Sequence, residues 1–225
     1  MGKRGPKPKK IINTTWRPNL AYAVGLITSD GYLSCDGLLV DLTSVEIEQL
    51  KNYSKCLGVD FKIGEKSSGN GRKALRIQFK NRIFYNFLLS IGLTNKKSLT
   101  LNKIDIPPEY FFDFLRGYFD GDGSSYSYWD LRWKSSFMFY LGFSCGSRRF
   151  LEWIQKEIQN RINILGHITH TKRGSGCYQL KYAKREAMEI ISKMYYSSDV
   201  ICLSRKRKKI EQTLKVNKRQ QLRYV

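Results

Sequence analysis

Two stretches of this chain repeat each other, and that repeat restricts the fold more than any other feature. Leu20 to Gly31 reads LAYAVGLITSDG, and Phe112 to Gly123 reads FDFLRGYFDGDG. Aligning Gly25 with Gly117 also aligns Asp30 with Asp122, an offset of 92. The residues after each segment match as well. Strand-like residues lead into helical patterns over Val45–Leu57 and Ser147–Ile164. Alternation then predicts strands at Phe61–Lys66 and Ala74–Lys80 in one half, and at Ile168–Arg173 and Tyr178–Tyr182 in the other. Ser67-Ser68-Gly69-Asn70-Gly71 and Gly174-Ser175-Gly176 supply the turns between them. Helices over Asn81–Ile91 and Lys184–Tyr196 close the halves. The order helix, two strands, helix, two strands, helix occurs twice, which predicts a pseudo-twofold molecule. A length of 225 residues allows one large core or two smaller ones.

Both repeated segments have helix-like apolar content and end in Asp-Gly. Glycine there is expected to stop the helix by taking a left-handed conformation. Small residues recur four apart, as Gly25/Ser29 and Gly117/Gly121, and so share a face on which two helix backbones can approach. Helices packed through those faces end side by side, and Asp30 meets Asp122. A carboxylate at a helix C-terminus opposes the dipole at a cost of about 0.3–1 kcal/mol. Two carboxylates about 5 Å apart repel by about 3 kcal/mol at an effective dielectric of 20. A divalent cation reverses both penalties, and hard carboxylate oxygens suit Mg²⁺. Converging acids around a metal are what in-line phosphodiester hydrolysis requires. The plainer alternative is a pair of unrelated helix-ending turns.

The charge balance points to the same substrate. Forty Lys and Arg residues stand against 19 Asp and Glu, a net charge of +21. A polyanion must neutralise such an excess, nucleic acid first and an anionic membrane surface second. No window approaches 18 uninterrupted apolar residues, and the basic start lacks an apolar run, so an intracellular protein with no membrane span is expected. Residues 1–10 carry five basic residues and no acid, while residues 204–225 carry nine and only Glu211. Both ends are expected to grip phosphates non-specifically. The five cysteines are scattered without a CxxC pair, which argues against disulfide scaffolds and zinc ribbons. His167 and His170 read as strand surface.

Within the strands, Arg76, Gln78 and Lys80 alternate with Leu75, Ile77 and Phe79. Gln179 and Lys181 alternate with Tyr178, Leu180 and Tyr182, and Lys62, Lys66, Arg132, Lys134 and Arg173 extend the basic set. One sheet face therefore packs under helices, and the other presents side chains that read guanine and adenine in a major groove. Alternation alone fits a solvated face equally well. The excess of Arg, Lys and Gln over acids favours DNA.

Ala23–Gly31, AVGLITSDG, and Leu115–Gly123, LRGYFDGDG, resemble the two motifs of a LAGLIDADG homing endonuclease of the monomeric, two-motif branch. The resemblance covers roughly Trp16 to Lys209. It implies an α+β fold of two pseudo-symmetric αββαββα halves packed through the motif helices at Gly25 and Gly117, with saddle-shaped antiparallel sheets facing DNA. The halves would span 14–100 and 101–203, between a basic arm at 1–13 and a basic segment at 204–225. By the same resemblance Asp30 and Asp122 hold Mg²⁺, and the carbonyls of Ser29 and Gly121 are further ligands. Ca²⁺ would support binding without cleavage, and Mg²⁺ would support double-strand breaks with short 3′ overhangs. Lys97 and Lys206 match lysines placed near the scissile phosphates, as catalytic groups or as simple phosphate contacts. Double-stranded DNA is the implied partner, with a monomer expected and no obligate protein partner. Two other readings use the same scaffold, an intron RNA maturase and a DNA-binding regulator without cleavage. The chain opens Met1-Gly2 and ends Tyr224-Val225, without splicing residues, so a free-standing or intron-encoded protein is expected over an intein.

Overall fold

The computed structural model describes residues 11–67, 73–95, 97–171 and 176–221. Residues 1–10 of the arm expected at 1–13 and most of the two turn segments lie outside them, while Ile12 is buried in the core. The first half runs α1 (Pro18–Asp30), β1 (Gly31–Leu33), β2 (Leu39–Ser44), α2 (Ile47–Leu57), β3 (Ile63–Ser67), β4 (Lys73–Lys80), α3 (Arg82–Ser90) and a short α4 (Lys97–Thr100). A 3-10 turn at Pro108–Tyr110 leads into the second half, α5 (Phe111–Asp122), β5 (Gly123–Trp129), β6 (Phe137–Cys145), α6 (Arg148–Ile162), β7 (His167–Thr171), β8 (Cys177–Ala183) and α7 (Lys184–Met194). A further helix, α8 (Ser204–Gln221), comes last. Each half holds one four-stranded antiparallel sheet, ordered β1-β2-β4-β3 and β5-β6-β8-β7. The repeat in sequence is therefore a repeat in space, an α+β molecule of two like halves.

Local chemistry sets the helix ends. Asn81 and Ser147 accept hydrogen bonds from the backbone N–H of Phe84 and Phe150, capping α3 and α6. Gly58 and Asn163 stop α2 and α6 in the left-handed region, at φ 68° and 55°. Pro18 starts α1 in the first turn, where its missing N–H costs nothing.

The repeated segments α1 and α5 pack against each other at the centre, buried on nearly every side. Their approach is close enough to exclude a methyl group. A Cβ on Gly25 would lie 2.3 Å from the Phe114 carbonyl oxygen, and one on Gly117 would lie 2.1 Å from that of Tyr22. Gly31 and Gly123 end these helices for a different reason from the one expected. Their φ values are −84° and −83°, extended rather than left-handed. Each helix passes straight into a strand, and a Cβ would meet the helix itself, 2.5 Å from Ile27 O or 2.2 Å from Phe119 Cδ2.

The second motif helix also carries buried charge. Arg116, 1% exposed, donates to Asp113 (2.7 Å), Met194 O (2.8 Å) and Ile201 O (2.9 Å). Asp120 accepts from Tyr22 of the first half and from the Leu203 N–H, both at 2.7 Å. These bonds tie the segment after α7 to the centre. The basic C-terminal segment also takes part in the fold. It forms α8, where Ile210, Thr213 and Asn217 are buried, Arg205 pairs with Glu46 and Ser204 bonds Glu48 of α2. Among the described residues no helix is long and apolar enough to cross a membrane.

Asp120 makes one stability prediction. Burial pushes its carboxyl from 3.8 up to about 6, against the opposing hydrogen bonds from Tyr22 and Leu203. A raised folded pKa means the folded state binds this proton more tightly, so ionisation weakens the fold as pH rises from about 4 to about 6. Asp120→Asn removes that slope. Urea unfolding should show the stability of wild type relative to the variant falling by about 2 kcal/mol between pH 4 and pH 7. A constant difference would contradict the assignment.

Candidate active site and nucleic-acid interface

The packing of α1 on α5 brings together the two acids at their ends. A Cβ on Gly121 would fall 2.7 Å from Asp30 Oδ2 and 1.9 Å from Ser29 Oγ, so the end of α5 lies directly against the end of α1. Surrounding protein and then the charge of Asp30 push the Asp122 carboxyl up to about 6. Burial also raises Asp30, opposed first by a 2.6 Å hydrogen bond from Gln49 Nε2. Gln49 accepts in turn from Ser44 Oγ at 2.9 Å. This chain of bonds holds Asp30 in one orientation.

Among the described residues no side chain braces Asp122 in the equivalent way. Gln49 is the third residue of α2, and the third residue of α6 is Phe150. The two acids therefore share a place in the repeat but differ chemically. Beside them opens a cleft of ≈ 530 Å³, lined by Asp30, Gln49, Asp120, Gly121, Arg205 and Lys206 among others.

Both lysines reach the same spot. Lys97, 7% exposed, donates to the carbonyls of Thr28 (2.7 Å) and Ser29 (2.8 Å) at the end of α1. Lys206 donates to those of Phe119 (2.6 Å), Gly121 (3.1 Å) and Gly123 (2.7 Å) at the end of α5. Each ammonium therefore sits where the helix dipole favours a cation. Burial lowers both pKa values, and nearby carboxylates pull the other way, Asp122 and Asp30 at Lys97 and Asp120 first at Lys206. The carbonyls of Ser29 and Gly121 are thus already hydrogen-bonded to lysine.

The basic strand residues do not all occupy equivalent places. Lys66, Arg76, Gln78 and Lys80 share the outer face of the first sheet with Asp41 and Thr43 of β2. Asp41, 4% exposed, accepts from Gln78 at 3.2 Å and Thr43 at 2.9 Å, and lies 3.7 Å from Arg76. Lys66 in turn donates to Thr43. Lys62 is exposed just before β3, and Gln179 and Lys181 lie on the outer face of β8. Arg132 and Lys134 are not strand residues. Asp130 organises their loop between β5 and β6 by accepting from the backbone N–H of Arg132 and Trp133. Arg173 lies outside the described residues.

Sequence reading missed Gln49, Asp41 and the tyrosines of the second sheet, Tyr126, Tyr128 and Tyr140. Asp41 had a signal, since Val40 and Leu42 alternate with Asp41 and Thr43.

No family model matches the sequence, and no curated protein matches it. Solved structures do match in shape. The meganuclease I-SmaMI bound to uncleaveable DNA superposes with a TM-score of 0.58 at 14% identity, covering 92% of each chain. The fold is that of the LAGLIDADG homing endonucleases. I-DmoI in complex with DNA and Mn gives 0.53 at 16% identity, over 80% of this chain and 97% of that one. Full-length DUF199/WhiA from Thermatoga maritima gives 0.55 at 13% identity, over 92% of this chain and 64% of its own. The LAGLIDADG scaffold thus carries the repeat, the paired motif helices and the two sheets described above.

Proposed function

We propose that this chain is a site-specific endonuclease that binds duplex DNA across its two sheets and cuts both strands with Mg²⁺ at the Asp30/Asp122 pair, leaving short 3′ overhangs. The observation that carries the reading is the meeting of two acids from different halves at the ends of the paired helices. Asp122, raised to about 6 by its surroundings and by Asp30, belongs to a pair whose mutual repulsion a divalent cation relieves. Among the described residues no group of three or more His, Cys, Asp or Glu side chains could hold a metal ion. Two carboxylates completed by water and phosphate oxygens are the usual setting for Mg²⁺. The residues therefore fit. Bound there, Mg²⁺ would supply an activated water and neutralise the leaving oxygen.

The protein's own side chains do the rest. Gln49 orients Asp30. Lys97 and Lys206 stabilise the ends of α1 and α5 and balance the acids. Lys62, Lys66, Arg76, Gln78, Lys80, Arg132, Lys134, Arg173, Gln179 and Lys181 supply base and phosphate contacts. Each of the two strands faces one half, so a monomer suffices.

The test is a randomised duplex library offered with Mg²⁺ and then with Ca²⁺. Discrete double-strand cuts are expected with Mg²⁺ only, and binding in Ca²⁺ should weaken with salt at a log–log slope of about −0.9 per phosphate neutralised. One observation favours a second reading, a DNA-binding regulator that does not cut. The ammonium groups of Lys97 and Lys206 occupy the carbonyls of Ser29 and Gly121. Tight binding without cuts would establish it.

A further inference from the structure

The outer faces of the two sheets differ in chemistry. The first presents Lys66, Thr43, Asp41, Arg76, Gln78 and Lys80, a hydrogen-bonding surface. On the second, Tyr126 lies opposite Tyr140, and Tyr128 lies opposite Met138. The Tyr126 and Tyr140 rings stack at 5.0 Å and 17°, and the Tyr128 and Tyr140 rings at 6.3 Å and 13°. Despite stacking, Tyr126 is 37% exposed and Tyr128 46%.

Ring orientation decides what this surface can hold. Neighbouring strands lie about 4.8 Å apart, and the Tyr126–Tyr140 separation matches that spacing. Parallel rings so close cannot lie flat on the sheet. They overlap face against face, standing off the sheet with ring edges toward the groove side. A platform for unpaired bases needs open ring faces. An upright ridge of ring edges fits a duplex groove, where the apolar feature is the C5-methyl of thymine.

Position along the strand adds a register. β5 begins immediately after Asp122, and Tyr126 and Tyr128 lie beyond it on the same face as each other. At about 3.3 Å per residue they stand roughly 13 to 20 Å from that acid. With a rise of about 3.4 Å per base pair, that is roughly four to six base pairs.

Resting on the duplex-cutting reading above, we propose that Tyr126, Tyr128 and Tyr140 read thymine methyl groups in the half-site bound by the second half, roughly four to six base pairs from the cut. The target is then chemically lopsided, because only the second half-site adds methyl contact to the hydrogen bonds that Gln179 and Lys181 offer there.

Deoxyuridine tests this without altering the protein, because it removes the methyl and keeps base pairing. Duplexes bound by the full chain in Ca²⁺ are selected from a random library, then remade with deoxyuridine for thymine in one half-site at a time. Thymine should be enriched in the second half's window, and each methyl lost there should weaken binding about fourfold. The Tyr140→Ala variant should bind the thymine and deoxyuridine duplexes equally. Selected duplexes indifferent to deoxyuridine in that window would overturn the inference and leave duplex binding intact. Enrichment of single-stranded RNA or DNA with no duplex selected would overturn both.

Discussion

Asp122→Asn is expected to lower the rate of DNA cleavage by roughly a thousandfold, about 4 kcal/mol of transition-state stabilisation, while binding in Ca²⁺ survives. The substitution is nearly isosteric and removes a charge from a carboxylate that its neighbour Asp30 already destabilises. Folding should therefore tolerate it, and affinity should hold or rise, since one negative charge is lost beside the phosphates. Single-turnover cleavage and a filter-binding titration on the same preparation separate these effects. Undiminished cutting by this variant would show that the metal assignment is wrong. Asp30→Asn tests the asymmetry. Gln49 braces Asp30, and Phe150 takes the corresponding place in α6. The variant should keep nicking one strand after double-strand cutting is lost, which a supercoiled plasmid would register as accumulated open circles.

Gly117→Ala should destabilise the whole molecule by about 3 kcal/mol. The added Cβ falls 2.1 Å from Tyr22 O and 2.9 Å from Tyr22 C, atoms of a helix backbone that cannot turn aside as a side chain can. Relief requires α1 and α5 to separate, which would loosen the apolar contact that joins the halves and move Asp30 away from Asp122. Thermal unfolding should shift down by roughly 10 °C in a chain of this size. Gly64→Ala is the control. Gly64 lies in β3 with nothing within 4 Å of its added Cβ, and its stability should stay within about 0.5 kcal/mol of wild type. An equal loss in both variants would remove close helix approach as the cause.

Much of this architecture was legible because a repeat carries its evidence twice. A three-residue strand such as β1 gives almost no periodic signal alone, but β5 after the second motif supports it. The close face at Gly25 and Gly117 was readable from spacing. The reason for Gly31 and Gly123 was not, because helix-to-strand passage and a left-handed stop look identical as Asp-Gly. Gln49 escaped notice for a similar reason. The repeat predicts likeness, and Gln49 matters where its counterpart is Phe150. The terminal basic run concealed a helix, since charge count dominated the stripe of Ile210, Thr213 and Asn217. Nor could sequence assign Lys97 and Lys206 to carbonyls, for a buried ammonium and a phosphate contact are written with the same letter.

The bonds of the last helix set an order in time. Ribosomes release the chain from its amino end, and the first acid is made long before Lys206, Arg205 and the segment that Asp120 and Arg116 hold in place. At synthesis rates of about 5–20 residues per second, the gap lasts on the order of ten seconds. Throughout it the nascent chain lacks both the cation that steadies the end of α5 and the clamp across α2. The helix that steadies the end of α5 and clamps the start of α2 is therefore the last of the described elements to be made.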